Sequence, residues 1–311
     1  MTLLYYDPRF LDHDTGQHPE QPERLRQIVA RLERTGLADQ CSRPLWQPAS
    51  RERLQLVHES SHIDRVAATA SHGGARLDPD TVVSRASFDV AQLSAGAACD
   101  AVDRVLAGEA NTALCLVRPP GHHALTERAM GFCLFNNVAV AAAVAIEEYK
   151  LDRVLVVDWD VHHGNGTQDL FYADGRVGFF SIHRWPFYPG TGAADETGTA
   201  DGLGATRNLP VTFGTQRAVY LDQSRRELED FAARIRPQLV LISAGFDAHR
   251  ADPVGSLGLE VEDFAELTKI VADVAAVHSA GRIVSLLEGG YNPPILAECV
   301  EIHLRGLMEV V

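Results

Sequence analysis

RVLVVDWDVHHGNG (residues 153–166) opens on a short apolar run without polar alternation and closes on two Asp, two His and a glycine-rich turn. An apolar run of this length fits a strand buried on both faces, as in a parallel sheet covered by helices. Four similar runs lie along the chain: TALCLV (112–117), VGFFSI (177–182), QLVLIS (238–243) and RIVSLL (282–287). Helical patterns fill the intervals, at 86–107, 137–149, 217–235, 261–279 and 294–309. A further helix is predicted after Pro22, where Leu25, Ile28, Val29 and Leu32 recur at helical spacing and Gly36 is a plausible stop. Alternation of this kind predicts an α/β fold: a single-domain, three-layer sandwich with a mainly parallel central sheet, spanning 1–311.

Composition narrows the class. With 46% hydrophobic and 23% charged residues the chain reads as an ordinary globular protein. Its net charge of −14 and the lack of a Lys/Arg cluster argue against direct nucleic-acid binding. The five cysteines form no CxxC pair and are odd in number, as expected of reduced thiols in a cytoplasmic setting. The N-terminal MTLLYYDPRF lacks the pattern of a signal peptide, and no apolar run is long enough for a membrane helix. An oligomer is compatible with the sequence.

Each apolar run leads into a loop rich in His, Asp, Gly or Tyr. In order these loops are RPPGHHA, DWDVHHGNG, HRWPFYPGTG, AGFDAHRADP and EGGYN. In an open parallel sheet, ligands bind beyond the carboxyl ends of the strands, so the five loops should converge on one site.

Within DWDVHHGNG, an extended backbone would put Asp158, Asp160 and His162 on one face. Asp160 and His162 could then hold a cation, with Asp158 behind them and Asp247 offering a further carboxylate. Two carboxylates and an imidazole with an open position suit a catalytic Zn²⁺, while Fe²⁺ or Co²⁺ is chemically permissible. A lone Asp or His at a strand end ordinarily caps the chain; the concentration of these residues within nine positions sets the stretch apart. His122 and His123 are adjacent and on an extended loop point apart, so that one can serve as general base toward water at such a cation. Tyr291, after two glycines, could turn its phenol toward the metal and donate to an oxyanion, although a single Tyr there more often packs in the core.

These residues also carry a family resemblance. HPEQPERL (18–25), RPPGHHA (118–124), GFCLFNNVAVAA (131–142), VDWDVHHGNGTQ (157–168), SAGFDAHRADP (243–253) and LEGGYN (287–292) occur in the order found in the histone deacetylase superfamily. The chain resembles most its class II enzymes and their bacterial amidohydrolase relatives. The resemblance implies the arginase-like α/β fold and one zinc ion per chain, with Asp160, His162 and Asp247 as ligands. It also implies His123 as general base, His122 as its electrostatic partner, Asp158 as the carboxylate orienting His122, and Tyr291 as the carbonyl-polarising phenol. Asn165 stands where class I members have a carboxylate, which should leave a His123 imidazolium less stabilised.

For the substrate, the resemblance implies a narrow acyl-lysine tunnel walled by Phe132 beside Gly131 and by Tyr188, in preference to Phe187. Asp80 loosely matches a rim residue that holds the substrate backbone, and Asp158, Asp160, His162, Ser181 and Ile182 match the positions of a structural potassium ion. Polyamine-preferring relatives carry a Glu after the Asp-Pro that follows the third ligand, where this chain has Val254. The reading is therefore a deacylase acting on acyl-lysine in a peptide or protein. An acetylpolyamine or small-amide hydrolase is the alternative, and a non-catalytic acyl-lysine binder would be a different class. A two-metal ureohydrolase is disfavoured, because DWDVHH lacks a second set of bridging carboxylates.

Overall fold

The computed structural model describes residues 1–310. The stretch 154–158 (VLVVD) is a fully buried strand, β5 (Val154–Asp158), paired in parallel on both sides. The other predicted runs form β4 (Thr112–Cys115), β6 (Val177–Arg184), β8 (Leu239–Ala244) and β9 (Ile283–Leu287). With β1 (Thr2–Tyr5) and β7 (Thr206–Val211) they make a seven-stranded sheet in the order β1-β4-β9-β8-β5-β6-β7. Every neighbouring pair in it is parallel.

The predicted helices also form, as α1 (Glu23–Arg34), α4 (Ser87–Leu106), α5 (Asn137–Glu147), α7 (Arg217–Ile235), α8 (Val261–His278) and α9 (Pro293–Met308). Packing joins α1 to α9, α9 to α8 and α8 to α7 in one layer, while α4 and α5 pair on the other face. The three-layer sandwich expected from the sequence is thus the fold. In α1, Leu25, Ile28 and Leu32 are buried and Gly36 ends the helix at φ +68°. In α5 the Asn136 side chain caps the Ala139 N–H at 3.0 Å, and Asn137–Ile146 is buried throughout.

Several elements were not predicted. Both edge strands belong here: β1 is very short, and β7 contains Pro210, which lacks an N–H and is tolerated at a sheet edge. The others are the helices α2 (Arg51–Leu54), α3 (Ser60–Ser71) and α6 (Asn165–Phe171), the hairpin of β2 (Gly74–Asp78) and β3 (Thr81–Ser84), and short 3-10 turns at Pro8–Asp12, Ala38–Gln40 and Ala200–Gly202.

Topology decides where the loops meet. The last two strands, β8 and β9, insert between β4 and β5. Register then aligns Cys115, Leu286, Ser243, Asp158 and Ser181 in one row across five strands. The five loops seen in the sequence start at that row or within three residues past it. They open side by side on one edge.

A buried ionic cluster ties the N-terminal segment to this edge. Glu20 is fully buried and meets Arg118 through Nε at 2.5 Å and Nη2 at 2.7 Å, and Arg24 through Nη1 at 3.1 Å. Arg24 reaches on to the carbonyls of Glu288 and Gly290, and Arg118 to those of Phe10 and His13. Burial opposes the charge on Glu20, but the two guanidiniums outweigh it and hold its pKa down at about 2, from 4.5. Removing the carboxylate leaves two buried cations without their partner, so Glu20→Ala should cost about 3–5 kcal/mol of unfolding free energy. A carboxylate with a depressed folded pKa contributes stability that is present above its unfolded pKa and lost as pH falls toward the folded one. The gap in denaturant-measured stability between the native chain and Glu20→Gln should therefore be full above pH 4.5 and shrink toward about 2. A gap that does not change with pH would contradict this.

Candidate active site and metal centre

The chain leaves β5 at Asp158 and turns within four residues, presenting Asp160 and His162 toward the loop after β8. His162 Nδ1 lies 2.9 Å from Asp160 Oδ1 and 3.2 Å from Asp247 Oδ2. One ligand atom from each of Asp160, His162 and Asp247 falls within 4.8 Å of the others, and all three residues are buried. Main-chain amides fix the carboxylates: Gly289 N–H donates to Asp160 Oδ2 at 2.8 Å and Val161 N–H to Asp247 Oδ1 at 2.9 Å. A side chain at Gly289 would run into both carboxylates, so glycine is required where the β9 loop crosses the triad.

The donor set fits a divalent cation. Asp247 Oδ2 is buried without an aligned hydrogen-bond donor, even though His162 Nδ1 is near. Two carboxylates and one imidazole are donor types that zinc takes, and the His162 nitrogen already lies close to an oxygen of each carboxylate. Burial and Asp160 push the Asp247 pKa up to about 7. Burial disfavours a charged His162, yet Asp160 and Asp247 hold its pKa at about 10. A bound cation would replace that proton, because imidazole ligates in its neutral form.

The tandem histidines are distinct in environment. His122 Nδ1 lies 2.9 Å from Asp158 Oδ2, the pairing expected from the resemblance, and His122 Nε2 is 3.9 Å from Asp160 Oδ1. Burial opposes charge on His122, but Asp158 and Asp160 outweigh it and raise its pKa to about 10. His123 Nδ1 lies 2.7 Å from Asn165 Oδ1. Burial, with His122 and His162 nearby, holds the His123 pKa well below the ordinary histidine value. Asn165 can only accept through that oxygen, so Nδ1 carries the proton and Nε2 is left with a free lone pair.

Tyr291 comes from the loop after β9. Gly290, at φ +121°, makes the turn that brings it in, and Tyr291 N–H is anchored on Asp252 Oδ2 at 2.6 Å. Its ring is buried against Phe132, with centroids 5.6 Å apart, and burial raises the phenol pKa well above its usual value. It remains a proton donor.

Aromatic side chains surround these groups. Phe132 is half-buried at φ +68°, with its N–H on Thr81 Oγ1 at 3.1 Å, and is not part of the closed core. Tyr188, 38% exposed, meets the edge of His123 at 5.2 Å, and Phe187 stacks on His162 at 5.2 Å. Both members of the Phe-Tyr pair therefore wall the site, where the sequence favoured Tyr188 alone. Gly131 packs on the His123 ring, and a side chain there would collide with it. Asp80 sits at the tip of the β2–β3 hairpin with its carbonyl 3.0 Å from His18 Nε2. The His18 ring packs 4.5 Å from Phe132, which places the hairpin beside this aromatic wall. Val254 is half-buried in the loop beyond Asp247, with its N–H on Asp252 Oδ1 at 2.9 Å. Ser181 Oγ pairs with His183 Nδ1 at 3.0 Å, one strand away from Asp158.

Asp252, Glu288, Glu20 and Arg24 also hold the site together without being singled out by the sequence. They lie in the motifs ADP, EGGYN and HPEQPERL, but a residue acting on main-chain groups or on a partner distant in sequence has no spacing rule of its own. Among the described residues, no helix is long and apolar enough to cross a membrane.

The histone deacetylase domain pattern matches residues 18–307 of this chain. The "Histone deacetylase-like amidohydrolase" of Pseudomonas aeruginosa is 40% identical over 91% of this chain and 74% of its own length. The human "Polyamine deacetylase HDAC10" is 42% identical over 98% of this chain and 48% of its own length. Among solved structures, "Crystal Structure of HDA15 HD domain" superposes with a TM-score of 0.93 at 37% identity, covering 98% of this chain and 88% of that one. With the domain pattern spanning nearly all of its length, the chain belongs to the histone deacetylase superfamily.

Proposed function

We propose that this member of the family is a zinc-dependent deacylase that hydrolyses the side-chain amide of N-acyl-lysine in peptides or proteins. The observation that carries the reading is the buried Asp160–His162–Asp247 triad lying within one aromatic-walled site with His123 and Tyr291. Its single open cluster of two carboxylates and one imidazole suits one catalytic Zn²⁺. When bound, such an ion supplies Lewis acidity, polarising the scissile carbonyl and making a water molecule more acidic.

The chain's own residues supply the rest. His123, neutral at Nε2 and oriented by Asn165, accepts a proton from the attacking water. His122, held cationic by Asp158, adds positive charge beside the developing oxyanion. The Tyr291 phenol donates a hydrogen bond to that oxygen. His123 then returns the proton to the leaving amine. Phe132, Tyr188 and Phe187 exclude water and fit a slender alkyl chain, with Gly131 lining it beside His123 and Asp80 and Val254 toward the rim. Asp158, Asp160, His162, Ser181 and Ile182 are proposed to hold a structural K⁺. We place the enzyme in the cytoplasm and in the class II branch.

Acetylpolyamines form the second reading, favoured by the similarity to the human protein named a polyamine deacetylase. Against it stands Val254, which cannot pair with a distant ammonium.

Two measurements test the proposal. Tyr291→Phe should lower kcat by roughly 10²–10³ with a modest change in KM, as for loss of one oxyanion donor; an unchanged kcat would return Tyr291 to packing. Separately, kcat/KM for an acetyl-lysine peptide should exceed that for N-acetylspermidine and N-acetylputrescine, with Val254→Glu shifting the ratio toward the polyamines. A polyamine preference of about tenfold, worth about 1.4 kcal/mol, would overturn the substrate assignment.

A further inference from the structure

Glu288 follows the last residue of β9, is completely buried, and has no part in the chemistry above. Its Oε2 accepts from two successive main-chain amides of another loop, Gly121 N–H at 2.7 Å and His122 N–H at 3.2 Å. Its Oε1 is buried without a donor. Glu288 is itself fixed: its N–H donates to the Ala244 carbonyl at 3.0 Å and its carbonyl accepts from Arg24.

His122 is held at its other polar groups too. Its carbonyl accepts from Gly166 N–H at 3.0 Å and Thr167 N–H at 3.2 Å, and its ring is bonded to Asp158. The main-chain N–H of His122 is met by Glu288, which begins the loop that carries Tyr291. Adjacent residues share one peptide unit, so whatever sets His122 also sets His123.

We propose that Glu288 is a positioning residue that couples the loop of Tyr291 to the loop of the tandem histidines and so sets both imidazoles relative to the phenol. A carboxylate with one oxygen unpartnered is a poor choice for packing alone, since an apolar side chain of similar volume carries no desolvation penalty. Two adjacent buried amides, however, require an acceptor. One oxygen of a side chain of this length meets both. The role needs an acceptor and not a charge, so Gln can take it over and Met, of similar length, cannot.

The inference rests on the site being the deacylase proposed above, and two readouts keep the claims separable. In the full chain loaded with zinc, Glu288→Met should lower kcat by about 10- to 100-fold, the usual effect of losing a partner that orients reacting groups. KM and zinc content should change little. Glu288→Gln should keep kcat within about fivefold of the native chain, as an isosteric acceptor would. Independently of turnover, amide hydrogen exchange at Gly121 and His122 should speed up in Glu288→Met and stay slow in Glu288→Gln. Native kcat in the Met variant, equal loss in both variants, or unchanged exchange in Glu288→Met would overturn the role. Should Glu288→Met not fold, a Glu288→Gln chain whose kcat falls more than about tenfold overturns it alone. A native chain without deacylase turnover would refute the functional reading, and amide exchange would still judge Glu288.

Discussion

Asp158, Asp160 and Asp247 bring three carboxylates to the buried ends of two neighbouring strands. Two like charges about 4 Å apart repel by roughly 4 kcal/mol even at an effective dielectric constant of 20, so this arrangement must be answered locally. Main-chain amides of Asp160, Val161, His162 and Gly289 meet the carboxylates, and His122 adds a positive charge. The orphaned Asp247 Oδ2 is the part these donors leave unanswered. A divalent cation would answer it, and the surrounding features follow from keeping the cluster intact. Gly245 and Gly289 leave room for the Asp160 carboxylate, and Gly289 also for that of Asp247. Insertion of β8 and β9 between β4 and β5 is what lets loops distant in sequence supply these groups together.

Much of this was legible in the sequence, for physical reasons. Central strands such as VLVVD and LVLISA are buried on both faces and so appear as unbroken apolar runs. The edge strands did not, because β7 has only one partner and accommodates Pro210. Helix α3 was hidden by its polar face, with only His62, Ile63, Val66 and Ala70 buried. Among site residues, Asp160, His162 and Asp247 announced themselves through residue type and position at strand ends. Glu288 did not, since its value lies in two main-chain amides that no spacing rule identifies. The preference for Tyr188 over Phe187 rested on the resemblance alone, whereas the loop turns both rings toward the imidazoles.

The site divides chemical work by environment. His122 and His123 are neighbours in sequence, with ring centroids 4.0 Å apart, yet one is driven toward the cation and the other toward the neutral base. A carboxylate behind the first and an amide oxygen behind the second account for the difference. Tyr291 is kept protonated by burial, which is what the oxyanion-donor role proposed for it requires. On the proposed reading the aromatic wall selects by shape, with Val254 and Asp80 at its rim.

On the proposed function, one ion in the Asp160–His162–Asp247 triad makes the chain a hydrolase. The most direct measurement is a titration of the chelator-stripped protein with Zn²⁺, following acetyl-lysine peptide turnover and bound metal together. Activity should be absent at the start, rise in proportion to bound zinc and level off at one equivalent per chain, with Asp247→Ala showing neither binding nor turnover. Full turnover in the stripped protein, or an Asp247→Ala chain that binds zinc and turns over normally, would contradict it.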